Sequence, residues 1–249
     1  MVPTGDDPTT RAVPGAPDAV TRAAAPPADP SVVPAGTALV VVDVQGSFVD
    51  GDDPAVPKAG DAQARAALLA RIVAIIDACR ASAVPVVTIQ EVHKPSLVDI
   101  GRELDGAEGP HALEGDPATE LAPGIAPRPD EYLIRKRRYS AFFATELDLV
   151  LRSLGARTVL LVGGMTDVCI HYTAVDAHQH DYRIRVVEDC VIGTSDDAHE
   201  AALRAMTYLQ RDARVRSADV LATLLPSGTR AVRSGPGSPA AADRPPPSR

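Results

Sequence analysis

The sequence is poor in the residues that nucleic-acid-binding and disulfide-rich extracellular proteins depend on. It has no tryptophan and only 3% aromatic residues, so it lacks the side chains that stack on bases in single-strand-binding proteins. The formal net charge is −8 and no basic stripe is present, which argues against a nucleic-acid partner. Three cysteines in 249 residues are too few for a disulfide framework and predict a reduced, cytoplasmic protein.

Long apolar runs are missing as well. No stretch approaches the roughly 18 consecutive apolar residues that a membrane-spanning helix needs. The first residues lack the charged start and the apolar segment of a secretory signal. We therefore expect no membrane association, and we expect a small molecule to be the ligand.

Both ends of the chain differ in composition from its centre. The first segment, residues 1–35, is rich in proline and alanine, and the last, residues 226–249, is rich in proline, glycine and serine. Neither segment shows apolar periodicity. We interpret both segments as disordered tails. The remaining segment, 36–225, has the size of one ordinary domain.

Within this domain, apolar runs alternate with segments of helical spacing. The predicted strands are 37–43, 85–90, 132–135, 157–163, 183–188 and 214–216. The predicted helices are 60–82, 144–154, 169–181, 196–210 and 217–225. Such alternation predicts an α/β fold: a mainly parallel, doubly wound sheet inside a three-layer α-β-α sandwich. The long aperiodic excursion at 94–130 is expected to line a site.

Reactive side chains follow the predicted strands at their carboxyl ends. Asp43 ends the first strand, Glu91 and His93 follow the second, Lys136 follows the third, and Cys169 follows the fourth. Ligands of parallel α/β sheets bind beyond these ends. We therefore expect these groups to converge on one edge of the sheet.

Cys169 comes after a β-branched run and two glycines, where an amphipathic helix begins. The unpaired N–H groups of a helix N-terminus favour a thiolate and can hold an oxyanion, as a nucleophilic cysteine requires. Each residue also has a simpler interpretation when it is taken alone. Cys169 could be a small side chain buried in the apolar core. Asp43 could stabilise a turn or cap a helix, and Lys136 could belong to a solvated basic cluster.

Together these three residues supply what amide hydrolysis by a thiol needs. Cys169 would be the nucleophile, and Asp43 would take its proton and return it to the leaving nitrogen. Lys136 would provide the positive charge that holds the thiolate. No histidine is required.

The sequence resembles the isochorismatase-like cysteine hydrolases, which include N-carbamoylsarcosine amidase, ureidoacrylate and biuret hydrolases, nicotinamidases and streptothricin hydrolase. Three blocks carry the resemblance: VVDVQGSF at 41–48, KRRYSAFF at 136–143 and GGMTDVC at 163–169. The motifs TAVDA at 173–177 and VEDC at 187–190 add to it. The resemblance extends from about residue 37 to residue 209.

This resemblance implies a mechanism and a site. Asp43 would be general base and acid, Lys136 would stabilise the thiolate, and Cys169 would be the nucleophile. A cis peptide bond between Gly164 and Met165 would precede an oxyanion hole formed by the N–H groups of Met165 and Cys169. Isochorismatases proper lack this cysteine, so its presence favours hydrolysis of a C–N bond. The implied enzyme is a cofactor-free homodimer or homotetramer acting on a small amide, ureido (N-carbamoyl) or lactam substrate, such as a streptothricin-type lactam.

Nicotinamidases of this family bind a divalent metal through an Asp-x-His motif and later histidines. Glu91, His93 and His111 match this pattern in part, but 94–110 contains no histidine, so one expected ligand is missing and we expect no metal. The residues expected to bind substrate are Gln45, Phe48, Glu91, His93 and Phe142. A metal-assisted, nicotinamidase-like amidase and an inactive binding protein of the same fold stay open as alternatives.

Overall fold

A computed structural model describes residues 31–49 and 55–225. The predicted tails at 1–30 and 226–249 lie outside the described residues. Residues 31–35, which the sequence analysis assigns to the N-terminal tail, are described. Val32 and Val33 pack against the core, so the domain begins a few residues earlier than predicted.

Six parallel strands form one sheet in the order β3-β2-β1-β4-β5-β6. The strands are β1 (Thr37–Val42), β2 (Val86–Glu91), β3 (Tyr132–Lys136), β4 (Thr158–Gly164), β5 (Arg183–Ile192) and β6 (Arg214–Val215). The helices are α1 (Gly46–Val49), α2 (Ala62–Ala81), α3 (Leu147–Ser153), α4 (Cys169–Gln179), α5 (Asp196–Leu209) and α6 (Ser217–Leu224). The predicted α/β fold with a parallel sheet is confirmed.

Helices cover both faces of the sheet, which explains the uninterrupted apolar run of β1. Successive strand residues point to opposite faces. Val40 and Val42 therefore contact the core beneath α3, α4 and α5, whereas Leu39 and Val41 contact the core beneath α2 and α6. From β1 the chain adds strands toward one edge of the sheet, and from β4 it adds them toward the other edge. In doubly wound sheets a crevice opens at this switch point.

Strand β5 is longer than predicted, because the polar pair Glu188 and Asp189 resembles the end of a strand in the sequence. In the structure Arg214 donates to Glu188 at 2.9 Å, and the Ser217 backbone and hydroxyl donate to Asp189 at 2.8 and 2.6 Å. These bonds satisfy both carboxylates, so β5 continues to Ile192 through a register irregularity against β4.

The excursion between β2 and β3 folds back against the carboxyl end of the sheet. It contains two 3₁₀ turns, Glu103–Asp105 and Pro117–Thr119. Isolated bridges pair His93 with Leu113 and Gln45 with Leu121. This excursion therefore covers the ends of β1 and β2. Of the described helices, none is long and apolar enough to cross a bilayer.

Candidate active site

The turn between β4 and α4 presents Cys169 as the first residue of its helix. Gly163 has a φ of +120°, and a Cβ at this position would collide with the Val42 carbonyl oxygen, so only glycine allows β4 to approach β1 so closely here. The Gly164–Met165 peptide bond is cis, which confirms the prediction. Cys169 lies beneath this turn with 5% of its surface exposed.

Asp43 follows β1 directly and has a φ of +52°. Aspartate and asparagine enter this left-handed region more readily than most residues. The Asp43 N–H group donates to the Ile89 carbonyl at 3.1 Å, which fixes the residue to the end of β2. The chain thus turns at the switch point of the sheet, where the carboxylate meets groups from neighbouring strands.

Lys136, the last residue of β3, is the centre of the site. Its ammonium nitrogen lies 2.8 Å from Asp43 Oδ2 and 2.9 Å from Glu91 Oε2. It also donates to Cys169 Sγ at 3.4 Å. The lysine side chain is fully buried, so its charge is compensated within the protein by these neighbours.

Burial governs the protonation of this site. It raises the pKa of Asp43 to about 6, although Lys136 acts in the opposite direction. Burial also raises the pKa of the Cys169 thiol well above its usual range; Lys136 opposes this shift, whereas the carboxylates of Asp43 and Glu91 add to it. The pKa of Lys136 is raised despite its burial, because the negative charges of Asp43, Cys169 and Glu91 stabilise the ammonium. Burial thus acts against the thiolate that the position of Cys169 at a helix N-terminus favours.

Two residues that line the site have backbone N–H groups with no hydrogen-bond partner among the described residues. Within the described residues, neither the Met165 nor the Cys169 N–H group donates a hydrogen bond to a backbone or side-chain acceptor. Both residues line the same cavity as Asp43. This pair of free donors next to the Cys169 sulfur is what an oxyanion hole requires.

The cavity beside Cys169 has a volume of about 70 Å³. Its apolar wall consists of Phe48, Val56, Met165 and Val168. Its polar rim includes Lys58, Glu108, His111 and Tyr139. Glu108 and His111 belong to the excursion, so the prediction that this segment lines the site is confirmed.

Three of the residues expected to bind substrate have other roles in the structure. Phe142 lies in the core, stacks on His180 at 5.2 Å, contacts Tyr182 and is not among the residues that line the cavity. His93 is fully buried and does not line the cavity. Gln45 lines the cavity, but its amide is bonded to the backbone of Glu91 in both directions at 3.0 Å, so it braces the wall. Phe48 and Glu91 line the cavity as expected.

Next to Asp43, Lys136 and Cys169 lies a second cluster: Glu91, His93, Glu103 and His111. One possible ligand atom from each residue lies within 4.8 Å of the others. His93 Nε2 is shared between Glu91 Oε1 at 3.2 Å and Glu103 Oε2 at 3.3 Å. Glu91 joins the two clusters, because its other oxygen contacts Lys136.

The second cluster is strongly polarised. Burial alone would lower the pKa of His93, but Glu103 and Glu91 raise it to about 9. Burial opposes ionisation of Glu91 as well, yet Lys136 and His93 hold the pKa of this carboxyl well below its usual range. Both Glu103 oxygens are buried and receive no well-aligned hydrogen bond from the described residues. The cluster therefore combines two buried carboxylates with two imidazoles.

Sequence reasoning missed Glu103, Glu108 and Tyr139. Glu103 and Glu108 stand in an aperiodic, acidic stretch where no spacing separates them from solvated neighbours. Tyr139 belongs to the block that follows Lys136, and its hydroxyl donates to Glu108 at 3.0 Å. Its position in the KRRYSAFF block was the sequence signal that could have indicated a place in the site.

The fold and this site agree with comparisons to known proteins. The sequence profile of the Isochorismatase domain matches residues 37–220. The chain belongs to the isochorismatase family. It is 43% identical over 91 residues to maleamate amidohydrolase of Pseudomonas putida, a match that spans 36% of this chain and 43% of that protein. It is 30% identical over 187 residues to ureidoacrylate amidohydrolase RutB of Pseudomonas syringae, covering 68% of this chain and 76% of the relative.

A solved structure in the same family gives the same result. The crystal structure of N-carbamoylsarcosine amidase from Thermoplasma acidophilum aligns with a TM-score of 0.62 at 32% identity, covering 73% of this chain and 96% of that one. These relatives are named as amidohydrolases or as an amidase, which supports amide hydrolysis in general.

Proposed function

We propose that this protein is a cysteine-dependent amidohydrolase that cleaves a C–N bond through a thioester intermediate. One observation carries the proposal: the Lys136 ammonium lies within 3.4 Å of the Cys169 sulfur and 2.8 Å of the Asp43 carboxylate. A nucleophile, a proton acceptor and a fixed cation are thereby gathered beside two free N–H donors.

The first step forms the thioester. Asp43 takes the thiol proton while the Cys169 sulfur attacks the substrate carbonyl carbon, and the carbonyl electron pair moves onto its oxygen. The N–H groups of Met165 and Cys169 hold this oxyanion. The oxyanion then collapses, the C–N bond breaks, and the proton on Asp43 passes to the leaving nitrogen.

The second step regenerates the enzyme. Asp43 accepts a proton from water as the water oxygen attacks the thioester carbon, and the C–S bond breaks. The proton returns to sulfur and the carboxylic or carbamic acid leaves. Lys136 stays charged throughout, because the Glu91 carboxylate stays beside it at 2.9 Å while the second negative charge moves between Asp43 and the oxyanion.

The substrate class follows from the relatives and from the cavity. The relatives are named for maleamate, ureidoacrylate and N-carbamoylsarcosine, which are small amides or ureides. A cavity with one apolar wall and polar groups at its rim suits a small compound of that kind, or a lactam. We propose a small amide, ureido or lactam substrate, with the enzyme acting in the cytoplasm as a homodimer or homotetramer.

Hydroxylamine partitioning tests the thioester. The wild-type chain is incubated with maleamate, N-carbamoyl amino acids and a lactam, and the products are measured with and without hydroxylamine. A thioester is intercepted as a hydroxamate, and the hydroxamate should disappear with Cys169→Ala. Turnover of these amides with no hydroxamate at any hydroxylamine concentration would contradict the covalent mechanism, and an inert chain would favour the binding-protein alternative.

A second candidate function, a metal-assisted amidase, is favoured by Glu103. This buried carboxylate supplies the ligand that the sequence analysis found missing. Two carboxylates and two imidazoles are suitable ligands for a divalent transition metal, and the unsatisfied oxygens of Glu103 fit such an ion. Glu91, His93, Glu103 and His111 would hold it. A bound metal would polarise the substrate carbonyl, while Cys169 and Asp43 would keep their roles.

Metal analysis distinguishes the two candidates. Elemental analysis of the chain, purified without chelator and then dialysed against Zn²⁺ or Mn²⁺, gives the stoichiometry. A metal-assisted enzyme predicts one ion per chain in the wild type and at least a tenfold weaker affinity in Glu103→Gln. Asp105→Asn, at an exposed carboxylate of the same 3₁₀ turn, serves as the control. Full activity of metal-free protein would exclude this candidate.

A further inference from the structure

The turn of residues 165–168 determines where both candidate oxyanion donors point. It begins at the cis bond after Gly164 and ends where α4 begins at Cys169. Within the turn, the Val168 N–H group donates to the Met165 carbonyl at 3.0 Å, and the Ile170 N–H group donates to the same carbonyl at 3.1 Å. These bonds shape the turn locally, but they do not tie it to the rest of the fold.

Contacts from the next strand and helix supply that connection. The Thr166 N–H group donates to the Ile192 carbonyl, at the end of β5, at 2.7 Å. The Asp167 carboxylate accepts two bonds from Thr194, one from its N–H group at 2.9 Å and one from its hydroxyl at 2.5 Å. Both Asp167 oxygens are therefore used, and both bonds anchor the turn to the segment before α5.

His199, in the first turns of α5, adds a contact on the same side. Its Nδ1 lies 2.9 Å from the Thr166 hydroxyl, and Thr166 is fully buried. Gly193 makes this approach possible, since a Cβ there would lie 2.8 Å from His199 Cβ and 3.0 Å from Asp167 Oδ1. The β5–α5 connection is thus packed directly against the turn.

We propose that Asp167, Thr194 and His199 are positioning residues for catalysis, which hold the 165–168 turn so that the Met165 and Cys169 N–H groups meet the oxyanion. The proposal rests on the proposed function, because that function gives the two donors their task. None of the three residues lines the reaction cavity, so they act through the turn.

The effect of losing this support should be selective. Removing one oxyanion donor outright costs about 10²–10³ in rate, and a donor that is only tilted loses part of this. The Cys169 sulfur and its contacts with Lys136 come from the helix and from another strand, so they should change little. A weakened turn should therefore impair oxyanion formation while leaving the intrinsic reactivity of the thiol intact.

Two probes of Cys169 separate these properties without knowledge of the substrate. Propionaldehyde adds to the thiol to form a thiohemiacetal: the S–C bond forms and the thiol proton passes to the former carbonyl oxygen. In this adduct the oxygen occupies the oxyanion hole and accepts from the Met165 and Cys169 N–H groups, so the Kd depends on where these donors point. Iodoacetamide alkylates the sulfur with loss of iodide and forms no oxyanion. The Kd of propionaldehyde is obtained from the protection it gives against alkylation of Cys169, measured by peptide mapping of the full chain.

Thr166→Val removes the hydroxyl that contacts His199 and nearly preserves the side-chain shape, whereas Thr166→Ser keeps the hydroxyl. Thr194→Val removes the hydroxyl that donates to Asp167, whereas Thr194→Ser keeps it, and Thr194 is less buried than Thr166. Thr207→Val is the matched control, because its hydroxyl bonds only within α5, to the Leu203 carbonyl at 2.9 Å.

Both valine variants should raise the propionaldehyde Kd about tenfold while the alkylation rate stays within about twofold, as expected for a misdirected oxyanion donor. The serine variants and the control should match the wild type. An unchanged Kd in folded Thr166→Val and Thr194→Val would overturn the proposal. A fall in the alkylation rate as large as the loss of propionaldehyde affinity would also overturn it, because it would indicate general disruption of the site. Absence of protection in the wild type would instead count against the proposed function itself.

Discussion

Asp43→Asn removes the proton acceptor from the site with little change in shape. Asparagine is well suited to the positive φ of +52° at this residue, so the backbone should be retained. Lys136 loses its partner at 2.8 Å but keeps the Glu91 carboxylate at 2.9 Å. The ammonium therefore remains paired, and the variant should fold.

The size of the effect follows from the protonation of Cys169. Burial raises the pKa of the thiol well above its usual range, so a base must assist its ionisation. Without Asp43 the remaining carboxylate near the sulfur is Glu91, at 3.8 Å. Lys136 holds the pKa of Glu91 well below its usual range, which makes it a weak base, and loss of general-base catalysis lowers rates by about 10²–10⁴. We expect kcat to fall about 10³-fold, which corresponds to about 4 kcal/mol in the activation barrier, with KM changed less than about threefold.

The assay compares kcat, KM and Tm for the wild type, Asp43→Asn and Asp77→Asn. Asp77 undergoes the same chemical change at an exposed carboxylate on α2, with 69% of its side chain accessible, and should behave as wild type. A folded Asp43→Asn variant that kept more than a tenth of wild-type kcat would refute the general-base role and the reasoning from the buried thiol.

Other predictions concern pH, charge and packing. Because Asp43 must be ionised to accept the proton and burial raises its pKa to about 6, kcat/KM should fall tenfold per pH unit below about pH 6; a pH-rate profile that is flat to pH 4 would be inconsistent with this. Lys136→Met should abolish activity and lower the free energy of unfolding by about 3–5 kcal/mol, because it leaves buried carboxylates without their cation. Urea titration measures this free energy, and an unchanged value would argue against the buried ion pairs. Phe142→Leu should lower the free energy of unfolding by about 1 kcal/mol and leave KM unchanged, whereas Phe48→Leu should raise KM. A raised KM in Phe142→Leu with an unchanged KM in Phe48→Leu would indicate that Phe142, and not Phe48, contacts the substrate.

Much of the fold and the central site could be predicted, because both follow from local patterns. Apolar runs alternating with helical spacing define a parallel sheet, and a parallel sheet brings its carboxyl ends to one edge. Asp43, Lys136 and Cys169 each directly follow an apolar strand or its turn, so their convergence followed from topology alone. Even the bounds of α4 and α5 lay within two residues of the predicted ones.

The remaining features depend on contacts between distant segments. Phe142 stands close to Lys136 in sequence, but its ring packs against His180 and Tyr182 in the connection between α4 and β5. Local sequence cannot predict this contact, because it joins distant segments. Glu103 joins the histidine cluster only because the excursion folds over β2. The raised pKa of Cys169 reflects burial and the carboxylates of two other strand ends, which outweigh the helix N-terminus considered in the sequence analysis.

The most direct test of the central claim is the turnover of Cys169→Ala on the best amide identified for the wild type. The account predicts that kcat falls at least about 10⁴-fold while Tm changes little, because the reacting sulfur is removed and its cavity is small. Retention of a tenth or more of wild-type kcat would contradict the account, since hydrolysis would then proceed without the nucleophile on which every other role depends.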